Sequence, residues 1–239
     1  TGRFYSLLPV YGEQIGRTPP LLSVLIAIGT TAALIVQYPI GYISDHYGRR
    51  PVIIGMGAHV IKVGLSPLII DLMKKGVVNC VALNGAGAIH DFEIATLGRT
   101  SEEVGEGLES GMFGMVEETM REMNQGVRGE GLGISLGKKL SEMKAPYRKQ
   151  SILATGAELE LPVTVHAAIG TDTIHMSPHV DPRALGEASF NDFRVLCSVI
   201  SDLEGGVYIN IGSAVILPEV FLKALTVARN LGNKVKNFT

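Results

Sequence analysis

The sequence has only two cysteines, no tryptophan and no excess of positive charge. Its 239 residues include 21 basic residues and 23 acidic ones. A basic surface is the main electrostatic requirement for binding a phosphate backbone, so we expect no nucleic-acid partner. Cys80 and Cys197 lie in apolar runs, where cysteine usually serves as a small buried side chain. This usage favours a reducing, cytoplasmic compartment.

Charge is also absent from the stretch between Arg17 and Asp45. Residues 21–44 are mostly apolar and, as a helix, long enough to cross a bilayer. The following GYISDHYGRRPV resembles the short loop between two helices of major facilitator superfamily transporters. The resemblance covers residues 1–52 and implies a fragment of a transporter. Such a chain would be membrane-associated if residues 21–44 insert into the bilayer. The alternative is an apolar helix or hairpin buried in a soluble protein. No later run could form a second span, so we expect no transport.

From residue 51 onward, apolar runs alternate with segments of helical periodicity. The predicted strands are 51–57, 77–83, 161–168 and 206–212, and the predicted helices are 65–76, 108–124, 192–203 and 218–232. This alternation is typical of an α/β fold, here a Rossmann-like, mostly parallel sheet with helices on both faces. We therefore predict an apolar helical segment at residues 1–50 and an α/β domain at residues 51–239.

The segments that follow the predicted strands are the place to search for a ligand site. In an open parallel sheet, ligands bind beyond the carboxyl ends of the strands. All of these segments contain glycine, which allows close approach of the backbone to a bulky ligand; they are 55–59, 84–93, 166–181 and 210–214. We expect one crevice to gather them.

The segment NGAGAIHDFE, residues 84–93, is the sharpest of these signals. Gly85 and Gly87 permit a tight turn and expose amide groups where a helix begins. His90 and Asp91 follow about one turn later, where they could reach a ribose hydroxyl or a cationic substrate. The alternative is an ordinary strand-to-helix turn with a capping acid.

Histidines are concentrated in two of the four segments that follow predicted strands, 84–93 and 166–181. His90, His166, His175 and His179 lie there, together with Asp172 and Asp181. These side chains are suitable donors for a transition metal, but their spacing matches no tight template and prolines interrupt it. We therefore expect no metal, and favour a solvated polar loop or a site for an organic ligand.

The sequence from Ile53 to Ala95, IIGMGAHVIKVGLSPLIIDLMKKGVVNCVALNGAGAIHDFEIA, resembles the amino-terminal half of the deoxyhypusine synthase family. The resemblance continues through LPVTVHAAIGTDTIH and YINIGSAVILPEVF to Thr239. It implies an NAD cofactor and a polyamine substrate such as spermidine. It also implies transfer of an aminobutyl group through a lysine imine to a protein lysine or to putrescine, and a homotetramer.

The resemblance also implies site residues. The cofactor loop of the family falls on residues 85–92, a further cofactor element has its counterpart at Asp172, and a glycine-rich turn falls on Gly212 and Ser213. The implied cofactor-binding set is Gly85, Ala86, Gly87, His90, Asp91, Asp172, Gly212 and Ser213. A family serine position falls on Lys62, and His175 lies near the position of a substrate-binding acid, so these two are the implied substrate-binding residues.

Two departures weaken the expected transfer chemistry. The paired acids of the family's cofactor loop are replaced by His90 and Asp91, and the imine-forming lysine falls beyond the position of Thr239. We therefore expect a domain truncated at its carboxyl end, name no catalytic residue, and predict NAD binding without aminobutyl transfer. The alternative is a non-catalytic member of the fold that binds a nucleotide or a partner.

Overall fold

The structure is a computed structural model that describes residues 50–100, 121–124 and 129–239. Internal contacts group Pro51–Thr239 into one compact unit. The transporter-like segment at residues 1–52, with the predicted apolar helix at 21–44, lies outside the described residues apart from its last three positions. Most of the predicted helix at 108–124 also lies outside them, although residues 121–124 are helical.

Four strands and seven helices are described by name below. The strands are β1 (Val52–Met56), β2 (Cys80–Asn84), β3 (Val163–His166) and β4 (Val207–Ile211). The helices are α1 (Ala58–Lys62), α2 (Ser66–Lys74), α3 (Gly85–Leu97), α4 (Leu132–Glu142), α5 (Ile152–Glu158), α6 (Pro182–Ser201) and α7 (Ile216–Asn230). Two short 3-10 helices are Arg148–Gln150 and Thr173–Met176.

The strands form one parallel sheet in the order β3-β2-β1-β4. All five residues of β1 are buried, because helices cover both faces of the sheet. Ile54 and Met56 face one apolar cluster, which α1 to α5 help to build, whereas Ile53 and Ala82 face a second cluster formed with α6 and α7. The predicted α/β fold with a parallel sheet flanked by helices is confirmed.

The helices α4 and α5 were not predicted. Among the elements that were, the largest boundary error concerns α6, which begins ten residues before the predicted start at residue 192. Asp181 supplies the helix cap, since its Oδ1 accepts the amide hydrogens of Arg183 and Ala184 at 2.9 and 3.2 Å. Pro182 occupies the first turn, where a missing amide hydrogen costs no helical bond. The Asp-Pro pair was therefore a start signal that the periodicity alone did not reveal.

Within the described ranges, 50–100, 121–124 and 129–239, no helix combines the length and apolar character needed to cross a membrane.

Candidate ligand site at the carboxyl edge of the sheet

The turns that follow the four strands meet in pairs at the carboxyl edge. The amide of Gly57, after β1, donates to the carbonyl of Ile211 at 2.9 Å. A Cβ atom built on Gly57 would lie 2.1 Å from the carbonyl oxygen of Gly212, so these two turns are in direct contact. Asn84 and His166 are register partners at the ends of β2 and β3.

The amino terminus of α3 is already occupied by groups of the protein. The side-chain oxygen of Asn84 accepts the amide hydrogen of Gly87 at 2.9 Å. The carboxylate of Asp172 accepts the amide hydrogens of Ala168, at 2.7 Å, and of Ala86. An anion is favoured at this position because unpaired amides and the helix dipole both point toward it. The protein thus places one of its own carboxylates where the sequence predicted a cofactor contact.

Asp172 is 6% exposed, and burial raises the pKa of its carboxyl above the usual range despite the opposing hydrogen bonds. A Cβ atom on Gly85 would lie 2.3 Å from the Asp172 carboxyl carbon. Glycine is needed at position 85 because the carboxylate lies directly against its backbone. This requirement explains one of the two glycines that suggested a nucleotide loop.

Asp91 has a structural role that the sequence did not predict. Its carboxylate is fully buried and accepts hydrogen bonds from Ser151 Oγ (2.5 Å) and from the amides of Ile152 (2.8 Å) and Leu153 (3.1 Å). These bonds hold the amino terminus of α5. Burial raises the pKa of Asp91 to about 6. Its oxygens are therefore engaged inside the domain and do not face the turns at the carboxyl edge.

Two other predicted residues make contacts within their own segments. His90 Nδ1 lies 3.1 Å from Oε2 of the buried Glu93 on the same helix. Ser213 Oγ accepts the amide hydrogen of Leu217 at 3.1 Å and so supports the start of α7. Gly212, with a φ of 69°, forms the exposed turn between β4 and this contact.

Lys62 is half-buried and is the last residue of α1. It lies five residues past the turn at Gly57 and does not line the cavity described next. His175, the other predicted substrate-binding residue, does line it.

A cavity of about 450 Å³ opens beside the end of β3, and we refer to it as the β3 cavity. Its polar lining consists of His166, His175 and Ser189. Its apolar lining comes from the β3 loop and from α6 and α7, and includes Ile169, Val180, Leu185, Phe190, Phe193 and Val220. A concave, mostly apolar site with a few polar groups is the usual form of a small-molecule site.

Each polar side chain that lines the β3 cavity makes a hydrogen bond within the protein. His166 is 5% exposed, its Nε2 lies 3.0 Å from Thr164 Oγ1, and burial lowers its pKa to about 4, so the imidazole is neutral at pH 7. His175 Nδ1 lies 3.0 Å from the carbonyl oxygen of Asp172. Ser189 Oγ accepts the amide hydrogen of Ala167 at 3.2 Å.

Sequence reasoning missed the α6 wall of this cavity. Ser189, Phe190 and Phe193 lie in the part of α6 between its true start and residue 193, most of which no predicted element covered. The available signal was the Asp-Pro start of the helix, which places the two aromatic residues three apart on one helical face. Among the described residues, no three His, Cys, Asp or Glu side chains are placed to hold a metal ion.

Comparisons with known proteins identify the fold and no closer relationship. No protein-family model matches the chain, and no curated protein matches it. A conserved candidate LOR/SDH protein from Methanococcus maripaludis S2 has a similar structure, with a TM-score of 0.51 and 16% identity over 85% of this chain and 54% of that one. The ternary complex of AgrE with ornithine and NAD+ has a TM-score of 0.51 and 14% identity over 85% of this chain and 26% of that one.

A candidate deoxyhypusine synthase from Entamoeba histolytica is also similar, with a TM-score of 0.44 and 13% identity over 78% of this chain and 76% of that one. That similarity is too weak to support an argument, so membership of the deoxyhypusine synthase family stays a prediction. The chain spans about half the length of the Methanococcus protein and about a quarter of AgrE. At these identities the comparisons show a shared fold.

Proposed function

We propose that the chain is a nicotinamide-dinucleotide-binding domain that holds NAD across the carboxyl edge of its sheet. The observation that carries the proposal is the β3 cavity of about 450 Å³, which opens at the carboxyl edge of the sheet, where Asp172 of the β3 loop lies against the amino terminus of α3. Open parallel sheets bind their ligands at this edge. The similarity in fold to AgrE, whose structure was determined with ornithine and NAD+, supports the choice of cofactor.

In this proposal a phosphate lies beside the first turn of α3, near Ala86, while the amides of Ala86 and Gly87 keep their bonds to Asp172 and Asn84. Gly85 and Gly87 are buried, whereas Ala86 between them is half-buried, so position 86 forms the accessible part of the turn. Asn84 orients this turn through its bond to Gly87. The helix dipole favours a negatively charged group near this end of α3. The β3 cavity, on the neighbouring strand, provides room for one ring of a ligand bound along this edge.

Aminobutyl transfer does not form part of the proposal. An imine requires a lysine amine within reach of the reacting carbon, and no lysine lines the β3 cavity. The proposed function is therefore cofactor binding, and the lack of aminobutyl transfer by this chain stays a prediction. Incubation with NAD and labelled spermidine, followed by borohydride reduction, would trap an imine on any lysine that does react.

Isothermal titration calorimetry with NAD tests the proposal on the intact chain and on two variants, Ala86→Asp and Ala86→Asn. We expect binding by the unmodified chain. Asp and Asn have the same shape, so the two variants differ in charge alone. An acid in the first turn of a helix does not weaken the helix. A second carboxylate close to a bound phosphate should weaken NAD binding about tenfold or more, since like charges a few ångströms apart repel by roughly 1 kcal/mol or more. Ala86→Asn should change it far less.

The proposal fails if the unmodified chain shows no heat of binding at millimolar NAD. It also fails if Ala86→Asp, folded by circular dichroism, binds NAD as tightly as Ala86→Asn does.

A further inference from the structure

We infer that the β3 cavity binds an uncharged aromatic group that carries a hydrogen-bond acceptor, as in an aromatic carboxamide, rather than a polyamine. The inference rests on the proposed function in that it names the class of group bound at the same edge of the sheet. It depends on the chemistry of the cavity walls, on their lack of charge and on two polar atoms.

The walls of the cavity favour a flat apolar group. Phe190 and Phe193 lie side by side on α6, with ring centroids 6.4 Å apart and an interplanar angle of 38°. Ile169 from the β3 loop is 87% exposed, and Phe190 is 54% exposed. Large apolar side chains exposed around a concave site are typical of ligand binding, and aromatic groups pack well against each other at such distances.

The lining contains no carboxylate, no lysine and no arginine. His166 is neutral at pH 7, and the remaining members of the lining outside the imidazoles and Ser189 are apolar or glycine. Asp192, next to the lining residue Phe193, accepts the amide hydrogens of Gly133 and Val165, and two further carboxylates near the lining in sequence are also engaged elsewhere. Asp172 binds the amides of Ala168 and Ala86, and Asp181 caps α6 through the amides of Arg183 and Ala184.

This lack of charge decides between classes of ligand. A buried ionic group costs several kcal/mol of desolvation unless a partner of opposite charge compensates for it. A polyamine would bring ammonium groups to a lining that contains no acid. A carboxylate ligand would enter a lining that contains no lysine or arginine, since the guanidinium of Arg194 lies over the Phe190 ring, 4.6 Å from its centroid, and is not part of the lining. An uncharged ligand avoids both penalties.

Two polar atoms specify the hydrogen bonds of the ligand. Ser189 Oγ already accepts the amide hydrogen of Ala167, so its own hydroxyl hydrogen is left to donate to a ligand acceptor. His166 is bonded through Nε2 to Thr164, and Nδ1 has no partner among the described residues. A group such as a carboxamide, with an acceptor oxygen and a polar nitrogen, can bind both atoms, which a plain hydrocarbon ring cannot.

The test uses three ligands that share one ring and differ in charge: benzamide, benzoate and benzylamine, with spermidine as a fourth. The intact chain is labelled with ¹⁵N and titrated without NAD, and the amide signals of Ala167, Ser189 and Phe190 are followed by NMR. We expect benzamide to shift these signals and to bind about tenfold or more tightly than benzoate, benzylamine or spermidine. Equal or tighter binding of spermidine or benzylamine would overturn the inference, as would the absence of benzamide-induced shifts at these amides.

Gly186 offers a matched pair of variants. It lies in the cavity lining, and a Cβ atom built on it meets no atom within 4 Å, so both Gly186→Ala and Gly186→Leu should fold. Leucine fills part of the cavity and should remove benzamide binding, whereas alanine should retain most of it. Unchanged benzamide binding by a folded Gly186→Leu protein would contradict the assignment of the ligand to this cavity.

A repeat of the titration with saturating NAD distinguishes two sources of the ring. Competition between NAD and benzamide would identify the ring as part of the cofactor, and independent binding would identify it as part of a separate substrate. Both outcomes agree with the inference. A failure of this inference can be distinguished from a failure of the proposed NAD binding, because calorimetry with the Ala86 variants tests NAD binding without the use of benzamide.

Discussion

The carboxyl group of Asp172 lies against the backbone of Gly85 and joins the first turn of α3 to the loop after β3. A Cβ atom at position 85 would be 2.3 Å from the Asp172 carboxyl carbon. The same carboxylate binds the amides of Ala168, in the loop after β3, and of Ala86, in α3. The close approach and the hydrogen bonds therefore depend on each other.

Gly85→Ala should destabilise the domain through this contact. A methyl group at position 85 must displace the Asp172 carboxylate or shift the first turn of α3, at a cost of roughly 1–3 kcal/mol. Asp172→Ala removes the obstructing group, so the cost of Gly85→Ala should be smaller in that background. Urea denaturation of the four proteins of the double-mutant cycle measures the difference. Equal costs in the two backgrounds would show that the contact is unimportant.

Asp91→Ala should be much more destabilising than Asp181→Ala, although both acids cap a helix. Asp91 is fully buried, and its removal leaves Ser151 and two amide groups of α5 without an acceptor. We expect a loss of roughly 3 kcal/mol or more, since each buried unsatisfied donor costs about 1–3 kcal/mol. Asp181 is exposed, and loss of an exposed cap costs about 1 kcal/mol. Similar unfolding free energies for the two variants would contradict the buried cap.

Asp192 should make the stability of the domain fall as the pH rises toward neutrality. Its Oδ2 accepts the amide hydrogens of Gly133 and Val165, at 2.9 and 2.7 Å, yet burial raises its pKa to about 7 from an ordinary value of 3.8. The folded state therefore keeps a proton that the unfolded state loses. This contribution to stability is full below about pH 4 and is lost between about pH 4 and pH 7.

Unfolding free energies at pH 4.5 and pH 7.5, compared between the unmodified chain and Asp192→Asn, isolate this contribution. The variant cannot titrate, so the decrease should be smaller in it by roughly 2–4 kcal/mol. Parallel pH profiles for the two proteins would show that the pKa of Asp192 is not raised.

The contribution of His166 to the stability of the domain should depend on pH in the opposite direction. Burial lowers its pKa to about 4 from an ordinary value of 6.5, so the unfolded state takes up a proton before the folded state does. The contribution of His166 is therefore full above about pH 6.5 and is lost as the pH falls toward 4. NMR titration of the imidazole should show a midpoint near 4, and His166→Gln should remove this part of the acid sensitivity. A midpoint near 6.5 would contradict the burial of this ring.

Regular elements near β1 and β2 were predictable because the signals for them are local. Val52–Met56 is a run of buried apolar residues, and Gly76 ends the helix before β2 in a left-handed conformation, with a φ of 67°. The start of α6 was missed because its residues after Pro182 alternate between small, polar and aromatic types. There the Asp181 cap, and not the periodicity, carried the information.

The positions of the four turns followed from the parallel topology, but the partners of their polar side chains did not. Gly85, Asp172 and Gly212 lie at the carboxyl edge, as expected from the ends of β2, β3 and β4. The β3 cavity could not be predicted, because the predicted helix began at residue 192 and so left out most of the α6 wall. Its lining includes His166, Ser189 and the α6 aromatic residues.

The sequence by itself determined the alternation of strands and helices, because periodicity and turn residues act over a few neighbouring positions. Only the tertiary structure decided the role of the carboxylates. Asp91 binds Ser151 at a separation of 60 residues, and Asp192 binds Gly133 at a separation of 59. A carboxylate near a helix start in sequence can face either a ligand or another helix, and the free energy of that choice depends on which distant amides it meets when the chain packs.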